Sequence, residues 1–305
     1  MQVSVIICTY SFDLYDAFAD AVESVLTQTY DDVEIIVVVD GDPQLYDQII
    51  DEYEGITVHL NKENVGLSES RNRGIGLANG DIIAFLDDDA VADSQWIETL
   101  VTVYEENDAI AAGGKMVPNW IAGRPSFLPE EFYWLIGVTH RGFARPGEEV
   151  RNTFGSNISF RREVFDEIGT FDPELGRHGS ANFQAEETVF AIRMRERFGQ
   201  GVIYEPNAKV AHKVFEYRTN PMWLLDRAFW QGYSKRVLED LVDNSGEGEG
   251  EFLAKLLTEF VPKRICRLIK SPSRDDFLQL IAIFVFTGTV GVGYLYGVIK
   301  QITSK

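Results

Sequence analysis

The chain has 305 residues with 28 Lys and Arg against 48 Asp and Glu, a formal net charge of -20, which excludes a general nucleic-acid-binding protein because no basic face is left to neutralise phosphates. A hydrophobic share of 45% with five Trp excludes a disordered chain and fits one large α/β domain with an appendage. Only ten of the basic residues are Lys; concentrated salt would screen such an acidic surface, so the composition reads as that of a multimolar-salt cytoplasm, with a merely well-solvated acidic enzyme as the plainer reading.

Short apolar runs alternate with helical patterns from the N-terminus. Strands are predicted at Val3 to Cys8, Val33 to Val39, Ile56 to Leu60 and Asp81 to Leu86, separated by helices. That alternation predicts βαβ units on a mostly parallel sheet, with ligands at the strands' carboxyl ends. A helix over Ser94 to Glu106 and a strand near Ala109 to Val117 follow, then an aromatic and Pro-rich stretch, Pro118 to Val150, without periodicity. A loop of that length in a compact domain is usually functional. Next come a strand at Thr153 to Phe160, a helix opening near Ala185 and a strand near Val202 and Ile203.

Residues 221 to 243 interleave aromatics and Leu with Arg and Lys, an amphipathic helix pattern. Trp223, Arg227, Phe229 and Trp230 suit a membrane interface or plain core packing. Asn244 to Glu251 is a polar, Gly-rich linker by composition, and a helical piece, Phe252 to Lys270, follows it. Phe277 to Ile299 carries no formal charge over 23 residues, enough to cross a bilayer core of about 30 Å. Gln279, two Thr and four Gly lower its apolarity, so a buried or interfacial helix is the competing reading. Five basic residues between Lys263 and Arg274 precede it and only Lys300 and Lys305 follow, which predicts a catalytic part on the cytoplasmic side. The N-terminal run MQVSVIICTY has neither a basic n-region nor a cleavage site, so no secretory signal is expected. Cys8 and Cys266 form no disulfide framework or metal motif.

Asp87, Asp88 and Asp89 close the run DIIAFL, which puts carboxylates where a divalent cation and phosphates bind, or else makes a solvated helix-capping turn. Asn64-Val-Gly66 opens a helix carrying Arg71, Asn72 and Arg73, and Arg71 could face a diphosphate or be an ordinary surface charge. Asp40 ends the run EIIVVV and could accept a hydrogen bond from a nucleobase or ribose, or serve the turn DGDP. Gly74-x-Gly76-x-x-Asn79 lacks a third glycine and precedes a strand, which argues against a dinucleotide site. No Walker loop, HExxH or GxSxG is present.

The order SVIICTY, VVVDGD, NVGLSESRNRGIGLANGDIIAFLDDDA, FGSNISFRREVFDEIGTFD and AEETVFAIRMRERFG resembles the family 2 glycosyltransferases with the GT-A fold, over residues 1 to about 215. That resemblance implies a catalytic domain over 1–235, and the composition beyond it predicts a helical membrane-proximal region over 236–276 and a transmembrane or membrane-associated helix over 277–299. The resemblance also implies base-binding roles for Thr9 and Asp40, a nucleotide contact for Arg71, a DxD motif in Asp87 and Asp89 with Asp87 or Asp88 nearer the ribose, and Mn²⁺ or Mg²⁺ on Asp89, Asp87 and His212. The family's base sits in an ED pair before a helix. Here Glu186-Glu187 fall there, so Glu187 is preferred and Glu186 stays open; charge at a helix N-terminus is the bland alternative. Gly155, Asn157, Arg161 and Arg162 match the acceptor side, although both arginines could be surface charges and His212 a structural histidine.

The resemblance extends to transferases that build lipid-linked glycans for N-glycosylation in halophilic archaea. It implies inverting transfer from a UDP-sugar, with a UDP-hexuronate as first expectation, to a dolichyl- or polyprenyl-phosphate-linked saccharide at the membrane. A noncatalytic nucleotide-sugar-binding scaffold and a nucleotidyltransferase are the rivals.

Overall fold

The computed structural model describes residues 1–175, 186–241 and 247–303. Strands β1 (Val3–Thr9), β2 (Val33–Asp40), β3 (Thr57–Asn61) and β4 (Ile82–Asp87) pair in parallel in the order β3-β2-β1-β4. Each lies within one residue of its predicted position. Val, Ile and Leu fill these runs because both faces are covered, and Val5, Ile6, Ile7 and Val37 are fully buried. The connecting helices are α1 (Tyr15–Leu26), α2 (Pro43–Glu52) and α3 (Leu67–Leu77). Asp42 caps α2 by accepting from Gln44 N at 3.1 Å and Leu45 N at 3.0 Å, with Pro43 pre-set for the first turn.

The remaining strands continue the sheet in antiparallel fashion. After β5 (Ala90–Ala92) and α4 (Trp96–Asn107) come β6 (Ala111–Trp120), β7 (Glu149–Val150), β8 (Ile158–Arg161), α5 (Arg162–Ile168), α6 (Glu186–Phe198) and β9 (Val202–Val214). The full order is β3-β2-β1-β4-β8-β6-β9-β5, with β7 on β9. Phe18, Leu45, Trp96 and Leu100 cover one face of the sheet; Ile75, Val164, Phe190 and Met194 cover the other, where Phe85, Phe160, Phe165, Phe171 and Phe190 pack edge to face, with Phe165 and Phe190 stacked.

Three stretches differ from expectation. The strand expected from Thr153 begins only at Ile158, because residues 153–157 turn back, with Asn157 N donating to Phe154 O at 2.8 Å. β9 runs through Pro206 for 13 residues rather than ending near Ile203. The aperiodic stretch 118–150 is no open loop: a 3₁₀ helix over Glu130–Ile136 buries Phe132, Leu135 and Ile136. The expected helix start at Ala185, the helical pattern at 242–243 and the linker residues 244–246 lie outside the described residues; α6 is described from Glu186.

The chain packs as two compact units, Met1–Asn119 with Ala144–Lys213, and Trp120–Phe143 with Val214–Lys305. The first holds the sheet. The second contains α7 (Pro221–Leu241), α8 (Glu247–Lys255), a π-helical step at Leu256–Phe260, α9 (Val261–Lys270) and α10 (Arg274–Thr303). Its core joins Leu128, Phe132 and Leu135 to Leu224, Ala228, Phe260, Ile283 and Phe286. Within it Arg264 Nη2 forks onto both oxygens of buried Glu131, at 2.7 and 3.0 Å. Helix α10 packs along α7 in the same direction, with Phe229 beside Gly293, Tyr233 beside Tyr296 and Arg236 beside Gly297. A side chain on Gly232 or Gly293 would strike the backbone of the facing helix, so both positions need glycine. Trp223 packs against this core and the Phe229 ring leans on Tyr296, so both pack within the unit.

Candidate active site

Strand order reverses at β1, whose neighbours are β2 and β4, and such a switch point is where a mostly parallel sheet takes its ligands, at the strands' carboxyl ends. Thr9 ends β1 and Asp87 ends β4. Thr9 is buried and its Oγ1 has no hydrogen-bond partner, an orphaned polar atom of the kind that a ligand satisfies.

Asp40 ends β2 and works on the next turn. Its Oδ1 accepts from Asn61 Nδ2 at 3.0 Å and Val65 N at 2.9 Å, and its Oδ2 accepts from Gly66 N at 2.9 Å. Three of about four acceptor positions on the carboxylate are thereby used. Gly66 has φ of 89°, a conformation that favours glycine, and leads directly into α3. Asp40 thus fixes the start of the helix that carries Arg71.

Arg71 is the centre of the cluster. Its buried guanidinium donates from Nη1 to Glu187 Oε1 at 2.6 Å and from Nη2 to Asp87 Oδ1 at 2.9 Å, while its Cζ stands 5.6 Å from the centre of the Phe85 ring. Burial opposes the positive charge, but Glu187 and Asp87 outweigh it and push the guanidinium pKa above its already high value. Arg71 therefore stays charged and holds a strand-end carboxylate and a helix carboxylate at one point. Gly155 completes this arrangement, because a Cβ there would collide with Glu187 Oε1. Ser156 Oγ accepts from Asp87 N at 3.1 Å and anchors the other side. Cys8, across the register from Asp87, is pushed well above the ordinary thiol range by burial, with Arg71 opposing, and stays neutral.

Asp89 of the triplet meets a different partner. Asp88 and Asp89 are buried, and β5 pairs with β9 so that Ala90 faces His212. This pairing brings His212 Nε2 to 3.2 Å from Asp89 Oδ1, and Lys213 N donates to Asp89 O at 2.8 Å. A carboxylate oxygen and an imidazole nitrogen this close are the donor types and spacing of adjacent ligands on one divalent cation. No cluster of three or more His, Cys, Asp or Glu suited to a metal occurs among the described residues. Two protein ligands still fit a Mg²⁺-type ion, which keeps waters and takes phosphate oxygens from a substrate.

Glu186 and Glu187 open α6, where a helix N-terminus favours carboxylates. Glu186 is buried, whereas the Glu187 side chain is 27% exposed and turned to Arg71. Of the two, Glu187 is therefore the one brought to the cluster with solvent access.

The expected acceptor-side residues separate. Gly155 stands at the cluster, but Asn157 is buried framework: its Oδ1 accepts from Trp96 Nε1 at 2.8 Å and Gly114 N at 3.2 Å, and its Nδ2 donates to Ala208 O at 2.9 Å. Arg161 and Arg162 lie at the opposite end of β4, since β8 runs antiparallel and Arg161 pairs with Ile82. Arg161 Nε donates to Ala109 O at 2.7 Å with its Cζ 5.4 Å from the centre of the Tyr104 ring, and Arg162 Nε donates to Gly80 O at 2.9 Å. Both arginines clamp the back of the sheet. Sequence reasoning passed over Lys115, an exposed cation on β6. Ala111 shares the Arg71 face of the sheet whereas Ala112 and Met116 belong to the other, so alternation sets Lys115 on the Arg71 face. The sequence places Lys115 in a strand near Ala109 to Val117, and the β6–β8 pairing over Ala111–Gly113 gives that strand its place in the sheet.

A family model for glycosyl transferase family 2 matches residues 4–169. The chain is 49% identical over 303 residues to glucosyl-dolichyl phosphate glucuronosyltransferase of Haloferax volcanii, covering 98% of this chain and 97% of that protein. It is 25% identical over 260 residues to the succinoglycan biosynthesis protein ExoM of Rhizobium meliloti, covering 83% and 79% of the two chains. Among solved structures, residues 1–349 of S. aureus TarS superpose with a TM-score of 0.55 at 15% identity, over all of this chain and 92% of that one, a likeness of fold.

Proposed function

The chain belongs to glycosyltransferase family 2, and from that membership we propose that it transfers a hexuronic acid from a UDP-sugar to a hexosyl lipid phosphate of the dolichyl type, with inversion at the anomeric carbon. The arrangement that carries this reading is the Arg71 fork between Asp87 and Glu187 at the carboxyl ends of the parallel strands. The full-length relative from Haloferax volcanii, named for glucuronosyl transfer to glucosyl-dolichyl phosphate, supports the choice of donor and acceptor. The acidic composition and, among the described residues, one helix, Arg274–Thr303, long and apolar enough to cross a membrane support a membrane-associated enzyme of a salt-rich cytoplasm.

Glu187 acts as the general base on an acceptor hydroxyl. Its carboxylate takes the proton as the hydroxyl oxygen bonds to the anomeric carbon and the bond to the nucleoside diphosphate breaks on the opposite face. Arg71 positions Glu187 and Asp87 against each other, so both donor and base depend on one guanidinium. Thr9 Oγ1 binds the base or ribose, Asp87 and Asp88 face the ribose and diphosphate, and Asp40 acts through the turn it anchors. Lys115 supplies a cation for the sugar carboxylate. Asp89 and His212 would hold Mn²⁺ or Mg²⁺, which when bound supplies Lewis-acid stabilisation of the diphosphate leaving group.

The test is UDP release in high salt with Mn²⁺, across UDP-glucuronic acid, UDP-glucose and UDP-N-acetylglucosamine, with a glucosyl lipid phosphate as acceptor. Turnover of the hexuronate alone, with the β-linked product of an α-linked donor, is expected. Donor binding without turnover beside a working transferase control would favour a noncatalytic scaffold, and release of pyrophosphate from UTP a nucleotidyltransferase.

A further inference from the structure

Large exposed hydrophobic side chains are unevenly shared: among the described residues five belong to the first unit and seventeen to the second. In the second they form two stripes. Leu253, Leu257, Ile265 and Ile269 recur at helical spacing along α8 to α9, with Ile269 75% exposed. Phe277, Ile281, Phe284, Val292, Leu295 and Ile299 line the face of α10 turned away from its buried contacts at Ala282, Ile283, Phe286, Gly293 and Gly297.

Charge follows the same division. Residues 120–143 and 214–305 contain fourteen Lys and Arg and thirteen Asp and Glu, a net of +1, whereas the rest of the chain carries -21. From Lys255 to Arg274 there are six cations and one acid. Arg264 turns inward to Glu131, while Lys263, Arg267, Lys270 and Arg274 stand exposed beside the apolar stripes. Over the few Å that concentrated salt leaves unscreened, a negatively charged phosphate surface favours contact with this unit over contact with the first. Apolar surface rimmed by cations is the composition of an interfacial helix.

The partner of α10 decides against crossing. Along α7, Asp226, Arg227, Lys235, Arg236, Glu239 and Asp240 accompany α10 at the level of its second half. Arg236 Nη2 donates to Gln301 Oε1 at 2.5 Å, and Tyr294 Oη donates to Glu239 Oε2 at 2.7 Å. An α10 that spanned the bilayer would carry the ionised side chains of Asp226 and Arg227, beside its middle, into hydrocarbon and press Lys235, Arg236, Glu239 and Asp240 against its far edge. We infer that α9 and α10 form a monotopic dock on an anionic lipid surface, with the exposed α10 face sunk to the headgroup boundary and both ends of α10 on one side. This deepens the membrane-associated reading and does not depend on which sugar is transferred.

Full-length protein is floated with phosphatidylglycerol vesicles in high-salt buffer, as wild type, Ile269→Glu and Leu295→Glu. Wild type is expected to float, and each variant to lose about tenfold or more of its vesicle binding, as removal of one buried aliphatic contact predicts. Unchanged turnover of a detergent-dispersed acceptor shows that the variants are folded and separates this test from that of the enzyme activity. For topology, Thr303→Cys is labelled with a membrane-impermeant maleimide in intact cells and in inside-out vesicles. The dock predicts that the new thiol reacts only on the side where native Cys266 reacts. Labelling on the opposite side would show a crossing helix and overturn the inference. Failure of wild type to float, with a dimer that Leu295→Glu dissociates, would assign this face to a second copy and overturn it equally.

Discussion

Arg71 holds Glu187 at 2.6 Å through one guanidinium nitrogen while the other holds Asp87 at 2.9 Å. No lysine can reproduce that fork, since an ammonium is a point charge without planar, paired donors. Arg71→Lys is therefore expected to lower kcat about 100-fold by letting the base move. Stability falls less, about 1–3 kcal/mol, because both partner carboxylates are partly exposed. Denaturant unfolding beside steady-state kinetics checks the split.

Gly155 faces the Glu187 carboxylate with no room for a Cβ. Gly155→Ala should displace that carboxylate and cost about 100-fold in kcat with little change in Tm. A variant of wild-type activity would mean that the position of Glu187 does not matter.

Asp89 and His212 meet at 3.2 Å across the β5–β9 pairing. Asp89→Asn and His212→Ala are each expected to weaken Mn²⁺ binding at least about tenfold, measured by the paramagnetic signal of free Mn²⁺ without turnover. Chelation of the wild type with EDTA should stop sugar transfer, and added Mn²⁺ should restore it.

His140 sets a pH dependence for the second unit. Burial lowers its imidazole pKa from 6.5, with Lys255 and Lys235 adding to the effect and the hydrogen bond with Arg141 O opposing it. The folded state thus disfavours the imidazolium, so this contribution to stability is present above pH 6.5 and is lost as pH falls through the depressed value. Unfolding midpoints should drop as pH falls from 6.5 through that depressed value, and His140→Phe should flatten the drop.

The parallel half of the sheet was legible because buried β-branched runs and short helices leave periodic marks, which locate Asp40 and Asp87 at strand ends and Arg71 in the second turn of α3. Strand direction was not legible. Thr153 to Phe160 reads as one strand, yet the turn at 153–157 takes its first half and the antiparallel run of β8 sends Arg161 to the far end of the sheet. A buried amide such as Asn157 looks like a ligand-binding residue until its four partners are seen. β9 was underestimated because Pro206 and three charged residues interrupt its apolar pattern. The core around Phe132 was hidden because a short 3₁₀ helix leaves no long period.

The most direct test is single-turnover sugar transfer by Glu187→Gln in high salt with saturating UDP-hexuronate, Mn²⁺ and hexosyl lipid phosphate, with donor affinity measured in parallel. Donor affinity near wild type with transfer slowed about 10²–10⁴-fold is the predicted result, since a neutral amide keeps the shape but cannot take the proton. Transfer at the wild-type rate would contradict the account, and loss of transfer in Glu186→Gln alone would move the base to the neighbouring residue.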